Sequence, residues 1–384
     1  MKILFISDVY FPRVNGVSTS IRTFVTQLQA FGHTVDLIAP YYDVKAADEA
    51  WVQRITAHSI YFDPEDKLMK YSAVLKLLPE LREVNYDLIH IHTPFVAHYA
   101  GIKLAKLLDI PCVETYHTFF EDYLHHYLPI IPKSLAKGLA RLISKKQCNA
   151  LGAMVAPSQP MLDVLRTYGI TTQAEVIPTG LQAQSFAEAD GAAFRAKYGI
   201  AQNRPMLLYV GRVAFEKNIN FLLEMTKVLI AKQPNVLLVV AGEGPAEASL
   251  HKQTKELKLD SNIQFIGYLD RNTELNRCYQ SADVFVFSSK SETQGLVLLE
   301  AMAQAKPVVS LAELGTKSIL IEGEGALIST ENTIEFADKV DYLLSHENAR
   351  IALGAKAKAY VAKRWTDKAQ AERLINFYKK MVTN

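Results

Sequence analysis

Cysteine is scarce. Cys112, Cys148 and Cys278 are the only three in 384 residues, far apart and with no CxxC or Cys/His spacing. That excludes a disulfide framework, offers no zinc-site pattern, and reads as a reduced, cytosolic chain. Long apolar runs are missing too. Nothing approaches the ~18–20 residues of a membrane span, and the apolar stretch 3–6 is too short for a signal-peptide core. Peripheral contact with the inner face of the cell membrane stays open. Neither charge sign dominates: 42 Lys+Arg against 40 Asp+Glu leave a net charge of +2, which argues against a general nucleic-acid binder. The loop after the first apolar run has no GxGxxG, and no GxxxxGK[ST] follows it, so the usual dinucleotide and P-loop signatures are absent.

What is present is a rhythm. With 49% hydrophobic residues the chain can bury substantial cores, and its length calls for two domains. Short apolar runs at 2–7, 34–39, 86–92, 111–116 and 151–157 alternate with helical patterns at 17–31, 96–108 and 133–147. The rhythm restarts with runs at 206–210, 235–242, 262–267, 283–288 and 306–311, and with helical patterns at 221–232, 246–257, 295–304 and 334–344. Strand–helix–strand repetition predicts α/β architecture, two doubly wound parallel sheets covered on both faces. The expected domains are 1–180 and 204–364, joined by a polar connection at 181–203. Residues 365–384 read as one more amphipathic helix, open to packing back on the first domain. Two such sheets would let their binding crevices face each other across a cleft.

Three strand exits carry chemistry. Asn15-Gly16 opens a helix, where backbone N–H groups can meet an anion; an ordinary strand-to-helix turn is the plainer reading. Arg212 and Lys217 follow the first strand of the second half. Two cations there suit a diphosphate, since a guanidinium grips two oxygens and an ammonium adds a point charge. They could equally be solvated surface charges. The segment 288–303 places Glu292 in a polar loop and Glu300 about two turns into the following helix. Carboxylates accept hydroxyl protons well, which suits a polyhydroxylated ligand. The amides of Thr293, Gln294, Gly295, Leu296 and Val297 form a helix start that suits sugar or phosphate oxygens. The alternative is that Glu292 caps the helix and Glu300 pairs on its surface.

The order of these motifs resembles the GT-B glycosyltransferases, in particular retaining family 4, over nearly the whole chain. The resemblance rests on Asn15-Gly16, His117 after the fourth strand, Val155-Ala156-Pro157-Ser158, Ile177-Pro178-Thr179-Gly180, Gly211-Arg212 with Glu216-Lys217, and Glu292 with Glu300. It implies an acceptor-side first domain and a nucleotide-sugar-binding second domain. Gly16 would then present its amide to the donor diphosphate, Arg212 and Lys217 would neutralise it, and Glu300 would bond the ribose hydroxyls. Glu292 and the amides of Thr293, Gln294 and Gly295 would meet the sugar, and those of Leu296 and Val297 the phosphate. Leu269 would adjoin the base, and His117 would hydrogen-bond the sugar near the reacting carbon. Many members read Glu-Gly-Phe-Gly where this chain has Glu292-Thr293-Gln294-Gly295. The form here is similar to the branch that glucosylates diacylglycerol or related lipids, with UDP-glucose as donor. No DxD occurs in the chain, so a metal clamp is not expected, and no cofactor beyond the nucleotide sugar is implied.

One stretch bears on the acceptor. Residues 123–162 contain no Asp or Glu but carry Lys133, Lys137, Arg141, Lys145 and Lys146. Four of these recur every fourth residue, with Leu135, Leu139, Leu142 and Ile143 opposite them. Such a basic amphipathic helix can lie on anionic lipid. Alternatively its leucines pack on the sheet and its lysines face water. Lys67, Lys70, Lys76 and Arg82, among apolar neighbours, form a second candidate patch. His125 and His126 near Glu121 and Asp122 have poor metal-ligand spacing. The expected activity is hexosyl transfer to a hydroxyl, with diacylglycerol-type lipid as leading acceptor. A soluble acceptor, a nucleotide-sugar epimerase and a non-catalytic nucleotide-binding protein of the same fold are the alternatives.

Overall fold

Runs such as Lys2–Ile6 (KILFI) and Met206–Val210 (MLLYV) are apolar on both faces, which suits strands sandwiched between two helix layers. In the computed structural model, which describes residues 1–42, 49–60, 63–117, 119, 121, 133–271 and 273–383, these runs are central strands. The first sheet holds β1 (Lys2–Ile6), β2 (Thr34–Pro40), β3 (Val52–Ile55), β6 (Leu88–Ile91), β7 (Cys112–Thr115), β8 (Ala153–Ala156) and β9 (Gln173–Val176). Its order is β3-β2-β1-β6-β7-β8-β9, and every pairing is parallel. A small antiparallel pair, β4 (Ala57–Ile60) with β5 (Asp63–Met69), lies outside it.

The second sheet holds β10 (Met206–Val210), β11 (Leu237–Ala241), β12 (Ile263–Gly267), β13 (Val284–Phe287), β14 (Val308–Leu311) and β15 (Ala326–Ser329). Its order, β12-β11-β10-β13-β14-β15, is again wholly parallel. In both sheets the chain works outward from the first strand in one direction and then returns to its other side. The switch falls between β1 and β6 in one sheet and between β10 and β13 in the other. Ligands of such sheets bind beyond the strand C-termini at that switch.

The chain divides into two compact units, Met1–Gly180 with Asp367–Asn384, and Leu181–Thr366. The last helix, Asp367–Val382, belongs to the first unit: Leu374, Phe377 and Tyr378 join Ile3, Phe5, Phe24 and Leu28 in one core. Gln27 also donates to Asp367 at 2.7 Å. The stretch 181–203 differs from a bare connection. It carries a helix, Gly191–Lys197, whose Arg195 is buried and donates to the carbonyls of Ser281, Ala201 and Arg204. The sequence reading also passed over β3, β9 and β15. The first two are short and only partly buried, so they lack the continuous apolar run that marks a central strand. All three cysteines are free. Among the described residues no helix is long and apolar enough to cross a membrane.

Candidate functional site

The switch point of the second unit is where β10 and β13 end, and both exits are polar. Lys217, in a short 3-10 turn after β10, reaches Glu292, in the loop after β13, with Nζ 2.7 Å from Oε1. Burial works most strongly against the Lys217 ammonium, but the charge and hydrogen bond of Glu292, with the charge of Glu216, together outweigh it and hold the amine above its usual range. Arg212 lies close enough to oppose that charge. The two exits are also joined through the backbone, since Ser288 donates its hydroxyl to the Asn218 carbonyl at 2.8 Å.

Glu292 does not cap the following helix. That helix, Leu296–Ala303, starts at Gly295, whose φ of 100° is left-handed and which supplies no side-chain cap. Behind the loop stands Gly315, whose N–H donates to the Glu292 carbonyl at 2.9 Å. A Cβ on Gly315 would overlap the Thr293 carbonyl oxygen, so the close approach requires glycine. Thr293, Leu296 and Val297 are half-buried; Gln294 and Gly295 are buried.

Glu300 is not a surface pair either. It is 4% exposed, and a buried carboxylate needs compensation. Arg271, just beyond β12, meets its Oε1, and Tyr279 donates to its Oε2 at 2.8 Å. Leu269 is buried in the second unit's core, and the exposed ring beside it is Tyr268. Sequence reasoning missed Arg271 and Tyr279. The only signal was position: Arg271 stands two residues past Leu269, and Tyr279 looks like an ordinary core aromatic.

The first unit presents a different chemistry at its switch. Asn15 caps the helix Gly16–Ala30 by accepting from the Ser18 N–H at 2.9 Å, and space around the Gly16 α-carbon is open. His117, past β7, has its Nε2 3.2 Å from His92 Nδ1, and the two rings stack. His92 in turn lies against His90, whose nitrogens meet Tyr378 and Thr115. Burial pushes all three histidines down, His117 to about 4, so the cluster is neutral at neutral pH. Just past the end of β1, Asp8 accepts from the Ala97 N–H at 2.9 Å and from Thr93. Burial pushes its carboxyl up to about 7.

The helix Lys133–Cys148 does not pack its leucines on the sheet. The residues turned inward are small or polar: Ala136, Ala140, Ser144, Gln147 and Cys148. Ser144 meets Tyr116 at 3.0 Å, and Gln147 donates to the Pro94 carbonyl at 2.7 Å. Leu135 and Leu142 are 64% and 63% exposed, with Leu139 and Ile143 exposed beside them. The cations are not all at the surface's disposal. Arg141 grips the buried Glu121 through Nε at 3.0 Å and Nη2 at 2.8 Å, and Lys137 adds a third contact at 3.3 Å. Arg141 above all holds the Glu121 carboxyl down, to about 2. Lys145 lies over Gly169. The side chain of Lys133, with Asp122, His125 and His126, falls outside the described residues. In the second candidate patch Met69 and Val74 are buried, so its apolar members serve partly as core.

Two wholly parallel Rossmann-like sheets, with polar strand exits at both switch points, define a GT-B glycosyltransferase architecture. HepE of Anabaena, solved in complex with UDP, superposes with a TM-score of 0.78 at 18% identity, over 99% of this chain and 100% of that one. Residues 14–185 match the model of Glycosyltransferase Family 4, and residues 190–360 that of Glycosyl transferases group 1. The alpha-monoglucosyldiacylglycerol synthase of Streptococcus pneumoniae is 33% identical over 81% of this chain and 71% of its own length. That of Acholeplasma laidlawii is 28% identical over 86% and 85%. The chain therefore belongs to the family 4 glycosyltransferases, enzymes that transfer a sugar from a nucleotide sugar.

Proposed function

We propose that the protein transfers a hexose, with glucose from UDP-glucose the leading case, to the hydroxyl of a diacylglycerol-type lipid, retaining the anomeric configuration. The observation that carries the transferase chemistry is the Lys217–Glu292 pair at the β10/β13 switch, with Arg212 beside it. Within the second unit, Arg212, Lys217 and the amides of Leu296 and Val297 serve the diphosphate, and Glu292 with the amides of Thr293, Gln294 and Gly295 serves the sugar. Within the first unit, the Gly16 amide is assigned to the diphosphate and His117 to the sugar. Glu300 takes the ribose hydroxyls, and Leu269 adjoins the base.

In the reaction the bond from the anomeric carbon to the diphosphate oxygen breaks as negative charge grows on the leaving group. Cations and amides fixed before the reaction oppose that charge, so they lower the barrier more than they tighten ground-state binding. The acceptor oxygen bonds the anomeric carbon from the same face, and its proton passes to the departing phosphate oxygen. A neutral His117 suits a hydrogen bond to an uncharged sugar hydroxyl. The proposed chemistry needs no metal clamp, in keeping with the lack of a DxD sequence.

Support for the lipid acceptor comes from the named activity of two relatives and from the exposed leucines of the helix Lys133–Cys148. Apolar side chains held out in water beside lysines suit the headgroup boundary of an anionic bilayer. The test is incubation of the protein with radiolabelled UDP-glucose, EDTA and vesicles holding diacylglycerol. An α-linked glucosyl lipid is expected. A β-linked product refutes retention, and label passing only to water or to soluble acceptors refutes the lipid reading.

A further inference from the structure

Glu300 is held from both sides before any ligand arrives. Tyr279 sits fully buried on the helix Leu275–Ser281 and donates to Oε2; Arg271 stands on the loop after β12 and meets Oε1. The carboxylate itself is almost wholly buried. Removal of one partner from such a group leaves charge without compensation. The Arg271 guanidinium is raised above its usual range chiefly by the charge of Glu300.

We propose that Arg271 is a positioning residue for the nucleoside half of the donor, fixing Glu300 in one rotamer so that it accepts both hydroxyls of a ribose. The assignment rests on Glu300 being the ribose contact. Each carboxylate oxygen has two acceptor positions, so one taken by Arg271 or by Tyr279 leaves a second on each oxygen. Two vicinal hydroxyls match two oxygens fixed side by side. A carboxylate free to rotate loses that match. Arg271 is itself about one-third exposed, so it reaches from the protected carboxylate to the outside. It therefore contributes to discrimination for ribose over deoxyribose without touching the reacting carbon.

The experiment measures binding of UDP, GDP and ADP and of their 2′-deoxy forms to the full chain by calorimetry, for wild type, Arg271→Met, Arg271→Lys and Tyr279→Phe. Wild type is expected to bind one ribonucleotide at least ~10-fold more tightly than its deoxy form, the worth of a hydrogen bond to a charged group. Arg271→Met is expected to weaken that ribonucleotide by about 10–100-fold and bring the deoxy ratio below ~3, with kcat at saturating donor within ~3-fold. Arg271→Lys, which keeps charge without the fork, falls between the two. Tyr279→Phe, which removes the bond to the other oxygen, lowers the ratio in the same sense and serves should Arg271→Met fail to fold. Deoxy ratios and affinities within twofold of wild type in the folded variants overturn the assignment while leaving the nucleotide site intact. A wild type that binds none of the three ribonucleotides overturns the donor reading, and this assignment with it.

Discussion

Substitution of Lys217 by Met separates what this side chain does for the fold from what it does for the reaction. The Lys217 and Glu292 side chains are 18% and 20% exposed and 2.7 Å apart. Breaking a fully buried pair costs about 3–5 kcal/mol and an exposed one under about 1 kcal/mol, so this pair should cost about 1–3 kcal/mol. In a unit the size of Leu181–Thr366 that lowers the melting temperature by roughly 2–10 °C. A cation that meets charge developing in the transition state is worth more to the rate, ~10²–10³ in kcat. Both readings come from one preparation: thermal unfolding followed by fluorescence, and initial rates with saturating nucleotide sugar at 25 °C. The expected pattern is a modest loss of melting temperature with kcat reduced at least ~100-fold. If kcat stays within threefold while the melting temperature falls as stated, Lys217 merely pairs with Glu292 and the charge argument fails.

Gly315→Ala should reduce activity at least ~10-fold, because the new methyl group must push the Thr293 carbonyl and with it Glu292; unchanged kcat/KM would contradict that buttress. Acidification should destabilise the fold below about pH 6.5, where the unfolded chain protonates histidines that burial keeps neutral down to about pH 4 for His117. Asp8 has the opposite sign: raised to about 7, it favours the fold below ~3.9 and loses that contribution as the pH climbs to 7. Asp8→Asn should therefore gain on wild type by about 2 kcal/mol between pH 5 and 7 in urea unfolding, whereas parallel curves would count against the buried carboxyl. Replacing Leu135 and Leu142 by Ser should abolish co-sedimentation with phosphatidylglycerol vesicles while shifting stability by under ~0.5 kcal/mol per site, since both are exposed. Retained binding would move the membrane surface elsewhere.

Periodicity and turn chemistry alone led to the two parallel sheets. A strand buried on both faces is apolar along its run, and β10, β11 and β13 satisfy that outright, as do β1 but for Lys2 at its start and β6 but for His90. The same reasoning found the strand exits with Gly16, Arg212, Lys217 and Glu292, because chemistry-bearing residues stand out where apolar runs stop. Edge strands such as β3 and β9 escaped it, since one open side allows polar residues and erases the run. Residue pairing lay beyond it altogether. Lys217 is 75 positions from Glu292, and Arg271 is 29 from Glu300. No local pattern encodes which cation meets which acid.

The basic helix shows the division most clearly. Its spacing correctly separates leucines from lysines around the helix axis, for that follows from 3.6 residues per turn. Which stripe turns inward is decided by what the rest of the chain offers to pack against. Here Ala136 and Ala140 lie inward, while Glu121, from outside the helix, takes up Arg141 and Lys137. Residue types and their order thus determined the elements and the residues capable of chemistry. Burial, pairing and exposure belonged to the tertiary structure, because they depend on neighbours distant in sequence.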